Sequence, residues 1–130
     1  MNINDNIAIV SKGLADHIVI NFKSPSVAIG FSSENSFNRY ASMTAGIFAA
    51  NGVKVYLFKS PVKSDEIDDK INFENLSAGL FIITGKKEDD GFSFEIKGLN
   101  NPDIIYPKSA DDVRIGDYKA GLQAGCIALI

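Results

Sequence analysis

The sequence predicts an α/β protein: a three-layer α/β/α sandwich around a mainly parallel sheet, with one antiparallel edge strand. Three observations lead there. Three short apolar runs, Val27–Phe31, Val53–Phe58 and Ala78–Thr84, carry no regular polar alternation, as befits strands covered on both faces. Segments with helical spacing separate these runs, and strands alternating with helices imply crossover units and parallel pairing. A fourth run does alternate: Phe92, Phe94 and Ile96 interleave with Ser93, Glu95 and Lys97, so this strand has one wet face and belongs at a sheet edge.

The elements follow in order. Ile3, Ile7, Val10, Leu14 and Ile18 recur every three or four residues and draw one apolar stripe on a first helix. Asn4 or Asp5 is placed to cap its start. The helix should fade near Asn21, because Ser24 precedes Pro25 and a residue before proline avoids the α region. After the first strand, Phe37, Tyr40, Ala41, Ala45 and Phe48 share one helical face, and Gly52 supplies the left-handed residue that closes this second helix. Val53–Phe58 is rich in β-branched and aromatic residues. Ser64 is expected to cap a third helix reaching about Asn75, with Ile67, Ile71 and Phe73 facing inward and the acids Asp65 and Glu66 suiting its positive end. Residues 85–90 read as a charged turn and residues 100–107 as a loop with two prolines. The tail from Asp111 to Ile130 carries a weak helical pattern through Val113, Tyr118 and Leu122. Its last five residues are too apolar for a free solvated end and are expected to pack on this domain or on a neighbour.

A chain of 130 residues fits a single domain, 1–130, large enough to bury a core without staples. Thirteen Lys and Arg against 16 Asp and Glu leave a net charge of −3, which offers no basic footprint for nucleic acid. One cysteine, Cys126, cannot close an internal disulfide or build a Cys-rich zinc site, and inert packing is its expected role. No apolar run has the length of a membrane span. Asp5 stands where a secretory leader would carry basic residues, so a cytoplasmic location is expected.

Ligands of such sheets bind beyond the carboxyl ends of the strands, which directs attention to residues 32–36, 59–64 and 85–90. None carries a Gly-rich phosphate cradle of either familiar type. Thr84, Gly85, Lys86 and Lys87 leave a strand directly and combine a hydroxyl, a permissive backbone and two ammonium groups. They are the candidate anion-binding site, set against the plainer reading of a solvated turn. The acid clusters at 65–69, 88–90 and 111–112 lack the spacing of a calcium loop and read as solvated faces. His17, the single histidine, has no second histidine with which to hold a metal, and is read as a boundary residue.

Taken together, Val27–Phe31, the stretch from Ala49 to Phe58, the strand Ala78–Thr84, the strand from Gly91 to Ile96, the first helix and Asp112–Tyr118 resemble the first domain of the phosphoglucomutase/phosphomannomutase family, the α-D-phosphohexomutases. The resemblance covers nearly the whole chain and is most specific from Ala49 to Phe58. It implies the α/β/α fold. It also implies a descent from four-domain isomerases of carbohydrate metabolism, which move a phosphoryl group between positions of a hexose phosphate. In that family the first domain supplies a phosphoserine, the second an aspartate-rich magnesium loop, and the last two read the sugar and its phosphate.

The motifs of the family's first domain are not kept. The Gly-Thr-Ser-Gly-type loop ahead of the first helix has no counterpart. The Asp-x-Arg after the first strand reads Ser32-Ser33-Glu34, and Ile83-Thr84-Gly85-Lys86-Lys87-Glu88 replaces Thr-Ala-Ser-His-Asn-Pro, with Gly85 in the serine's place. No catalytic residue, metal ligand or cofactor is therefore carried over. The expectation is a catalytically inactive domain acting as a binding or assembly module, whose partner is a second copy or another protein covering the surface left by the missing domains. A fragment or subunit of a phosphohexomutase and a weak sugar-phosphate sensor stay open as alternatives.

Overall fold

The computed structural model describes residues 3–33, 40–84, 92–100 and 102–130. In chain order the elements are α1 (Ile3–Asn21), β1 (Ser26–Phe31), α2 (Ser42–Ala50), β2 (Lys54–Leu57), α3 (Ser64–Glu74), β3 (Ala78–Thr84), β4 (Phe92–Lys97), a 3-10 turn (Ala110–Asp112), α4 (Tyr118–Gln123) and β5 (Ile127–Leu129). The strands form one sheet in the order β4-β3-β1-β2-β5. β1 pairs in parallel with both β2 and β3, β5 pairs in parallel with β2, and β4 runs antiparallel along β3 at the edge.

The alternation of side chains across β1 separates the two cores. Val27, Ile29 and Phe31 pack with Leu14 and Ile18 of α1 and with Ala45 and Phe48 of α2. Ala28 belongs to the opposite face, with Ile67 and Ile71 of α3. That second face is made for close approach: a Cβ at Gly30 would meet Ile67 Cδ1 at 2.8 Å, and one at Gly79 would meet Ile67 Cγ2 at 2.6 Å. The two glycines cut the groove in which α3 lies. Burial of Ile67, which is fully shielded, contributes about 2–3 kcal/mol.

The helix ends follow local chemistry. Gly52, at φ +87°, takes the left-handed position just beyond α2, as its sequence requires. At α3 the Glu66 carboxylate accepts the Lys63 N–H at 2.6 Å while the Glu66 N–H donates to the Lys63 carbonyl at 3.1 Å.

Several expectations need correction. The α3 cap position is Lys63, and Ser64 is the first helical residue. Phe73 does not face inward: it is 87 % exposed. Asn4 and Asp5 lie within the first turn of α1 and so do not precede it. Phe37, assigned to the second helix face, lies outside the described residues. The tail is not one weak helix. It breaks into the 3-10 turn, an extended stretch, α4 capped by Asp117, and β5. Its apolar end packs on this domain: Val55 N–H donates to the Cys126 carbonyl at 2.8 Å and Ile130 N–H to the Leu57 carbonyl at 2.9 Å.

Candidate functional site

The chain passes from β1 to β2 through α2 on one face, then from β2 to β3 through α3 on the other. The direction of winding therefore reverses between β1 and β3, and the crevice beyond their carboxyl ends is where such sheets take ligands. Backbone hydrogen bonds hold this edge together. Ser32 N–H donates to the Ile82 carbonyl at 2.9 Å, extending the β1–β3 ladder, and Val62 N–H donates to the Phe31 carbonyl at 3.0 Å. Lys59 and Lys63, both exposed, bring two ammonium groups to the loop after β2.

Of the residues singled out from sequence, Thr84 is the last residue of β3, opposite Phe92 of β4, at the carboxyl edge. Gly85, Lys86 and Lys87 lie outside the described residues, as do Glu34 and the acids 88–90. The nearby start of α3 is already served by a carboxylate, since Glu66 accepts the Lys63 N–H. An anion approaching that helix end would meet negative charge where it needs free donors.

One polar cluster was not foreseen from sequence. Lys97 Nζ lies 2.9 Å from Asp68 Oδ2, 3.0 Å from Glu95 Oε1 and 2.6 Å from Ser64 Oγ, which in turn donates to Glu95 at 3.2 Å. The Asp68 hydrogen bond, then the Glu95 bond, hold the Lys97 pKa above its ordinary value of 10.5. This cluster fastens the first turns of α3 to the edge strand. Its trace in the sequence is Ser64 and Asp68 one helical turn apart, with Glu95 and Lys97 sharing the wet face of β4.

At the opposite, amino-terminal edge of the sheet lies an open cleft of about 420 Å³, walled by Ser24, Pro25, Lys54, Tyr56, Glu74 and Leu76 among others. Lys54 and Lys70 each place an ammonium 5.8 Å from the Tyr56 ring centroid. Cys126, expected to be packed, is exposed; its carbonyl accepts the Val55 N–H and its N–H donates to the Gly121 carbonyl. His17 is half-buried and its carbonyl accepts from Asn21 Nδ2 at 2.8 Å. Among the described residues, no three His, Cys, Asp or Glu side chains gather where they could hold a metal ion. No described helix is long and apolar enough to cross a membrane.

Comparison with known proteins agrees with the sequence resemblance. No family model matches the chain. Over 111 residues it is 28% identical to the "Probable phosphomannomutase" of Haemophilus influenzae, an alignment covering 83% of this chain and 23% of that protein. The crystal structure of a "putative phosphomannomutase" from Thermus thermophilus matches the fold with a TM-score of 0.64 at 16% identity, over 72% of this chain and 21% of that one. The chain therefore spans less than a quarter of the length of each. Alike in sequence to the first and in fold to the second, it is a phosphomannomutase-like domain.

Proposed function

We propose that this phosphohexomutase-related domain serves as a binding or assembly module and is not a mutase by itself. One observation carries the reading. Thr84 ends β3 at the carboxyl edge, where the family presents its phosphoserine, yet the residue that follows is Gly85. Phosphoryl transfer needs a carrier that can form a covalent phosphate, a metal to offset the developing charge, and cationic clamps. Glycine cannot carry a phosphate, and Glu66 already serves the start of α3.

The test is conversion of glucose 1-phosphate or mannose 1-phosphate to the 6-phosphate by the pure chain, with magnesium and a hexose bisphosphate activator. No turnover and no stable phosphate label on the protein are expected; turnover by the pure chain would overturn the reading.

The retained strand end at Thr84 favours one further reading, a weak sugar-phosphate sensor using Thr84, Gly85, Lys86 and Lys87. Two lysine–phosphate contacts of about a kcal/mol or less each give affinity no tighter than tens of millimolar. Calorimetry with hexose phosphates on the parent and on a Lys86→Ala/Lys87→Ala variant separates the two. Micromolar binding that the variant abolishes would establish the sensor.

A further inference from the structure

We infer that Asn51 is a modification site: its side-chain amide latches α1, α2 and the tail together, and loss of that amide to water, through a ring closed by Gly52, opens the latch. The inference is independent of the assembly reading above.

Asn51 directly follows α2, and its one side chain contacts three segments. Its Oδ1 accepts from Lys12 Nζ of α1 at 2.9 Å, while Nδ2 donates to the Ile47 carbonyl of α2 at 2.7 Å and to the Arg114 carbonyl of the tail at 3.3 Å. The ammonium fixes which end of the amide is oxygen, and the two carbonyls fix which end is nitrogen. Aspartate cannot take its place. A second oxygen would face two carbonyl oxygens, and the added charge would sit at the carboxyl-terminal end of α2, where the helix dipole is already negative. Lys12 offsets little of this, because Asp16 Oδ1 holds the same ammonium at 2.9 Å. The Arg114 bond comes just before Gly116, whose backbone packs on that of Gly46, so the amide holds the tail near its closest approach to α2.

The next residue is Gly52, which has no side chain to screen its nitrogen. In an Asn-Gly pair that nitrogen, giving up its proton to water, attacks the side-chain carbon Cγ. The N–Cγ bond forms, the Cγ–Nδ2 bond breaks, ammonia leaves and a cyclic imide results. Water then opens the imide at either carbonyl, giving aspartate or, with the backbone rerouted through the side chain, isoaspartate. One water is consumed for each ammonia released, and nothing is oxidised or reduced. The fold holds this reaction back in two ways. Asn51 has ψ 22°, which turns the Gly52 nitrogen toward the residue's own amide nitrogen and away from Cγ, so closure needs a large rotation about Cα–C. The Gly52 N–H is also committed to the Ala49 carbonyl at 3.3 Å. Reaction waits for the latch to open and, once complete, keeps it open.

Mass spectrometry of the peptide around Asn51 tests this, with the full chain incubated in mildly alkaline buffer either folded or unfolded in guanidinium chloride. Deamidation at Asn51 is expected to be at least about tenfold slower in the folded chain, because only the locally opened fraction reacts. Isoaspartate should appear beside aspartate, the mark of the imide route. Lys12→Met, which removes the donor to Oδ1, should shrink the protection, whereas Asp16→Asn, which leaves the Lys12–Asn51 bond in place, should not. Asn51→Asp, which copies one product, should lower the melting midpoint by about 4 °C. Equal rates in the folded and unfolded chains overturn the inference. So does protection untouched by Lys12→Met, or an Asn51→Asp protein as stable as the parent. The folded-against-unfolded comparison needs no substitution and decides the matter even where a variant fails to fold.

Discussion

Replacing Gly46 by alanine should destabilise this protein, although the same change inside a helix ordinarily stabilises by about 1 kcal/mol. The reason is a backbone contact between α2 and the tail. A Cβ at Gly46 would land on the Gly116 carbonyl oxygen, with the carbonyl carbon at 3.3 Å; a Cβ at Gly116 would meet the Gly46 carbonyl oxygen at 2.7 Å and Ala50 Cβ at 2.8 Å. The obstructing atoms at Gly46 belong to backbone and cannot rotate aside. Restoring ordinary contact, 3.4 Å or more, moves the 113–118 segment by on the order of 1 Å, out of register with a core tuned to fractions of that. Overpacking of this kind costs about 3 kcal/mol at the upper end of the usual range, and the helical gain offsets about 1, leaving a net loss of about 2 kcal/mol. With an unfolding entropy of about 2.1 cal/mol/K per residue, that loss lowers the midpoint of a chain this long by about 7 °C. Gly13→Ala is the matched control. Its new methyl meets the Tyr106 ring at 2.5 and 3.0 Å, but Tyr106 is 42 % exposed on a surface loop and can swing away. Differential scanning calorimetry should find Gly13→Ala at or slightly above the parent midpoint and Gly46→Ala well below it. A Gly46→Ala protein that melts at or above the parent temperature refutes the close-packed α2–tail contact.

Two further outcomes follow from buried and paired polar groups. The Ser11 hydroxyl is fully buried in α1 with no hydrogen-bond partner among the described residues, so Ser11→Ala should raise stability by about 1 kcal/mol in urea titrations; a loss would show that the hydroxyl is satisfied. Lys97→Met should cost about 1 kcal/mol near neutral pH, since it leaves Asp68 and Glu95 without their common cation. The Lys97 pKa is raised in the folded state, so its contribution is complete below about pH 10.5 and is lost as pH climbs through the folded value. Burial also pushes the Tyr118 phenol above its ordinary 10.0, with the same sign. In a Tyr118→Phe background, stability should therefore fall more steeply at alkaline pH with Lys97 than with Lys97→Met; parallel curves would remove Lys97 from the alkaline transition.

The strands were legible because burial on both faces writes a continuous apolar run. The β3 limits match the sequence reading at both ends, and those of β1 differ by one residue. Misreadings occurred where spacing alone was ambiguous. Phe73 stands six residues after Ile67, which leaves it about 120° away around a helix, whereas Ile71 is only about 40° off. Residues 127–129 are too few to show alternation, and their partner Leu57 lies far back in the chain. The Lys97 cluster was hidden for a similar reason: it joins a helix and a strand that only the fold brings together. Of the candidate anion-binding residues, only Thr84, the last residue of β3, lies among the described residues.

The fold and the chemistry of its carboxyl edge are separable here, and the hydrogen bonds show why. The edge is held by main-chain bonds from Ser32 to Ile82 and from Val62 to Phe31, which any side chain at those positions permits. The groove that seats α3 depends on Gly30 and Gly79 facing Ile67, with Val62 of the loop before α3 also close against Gly30. Both sets of contacts involve main chain and apolar packing and call on no polar side chain. Glu66 adds a counterweight. By accepting the Lys63 N–H at 2.6 Å it satisfies the start of α3 from within the chain, and the same carboxylate opposes any phosphate brought toward that helix end. Local stability and phosphate binding thus make opposite demands on the start of α3, where the Glu66 carboxylate sits.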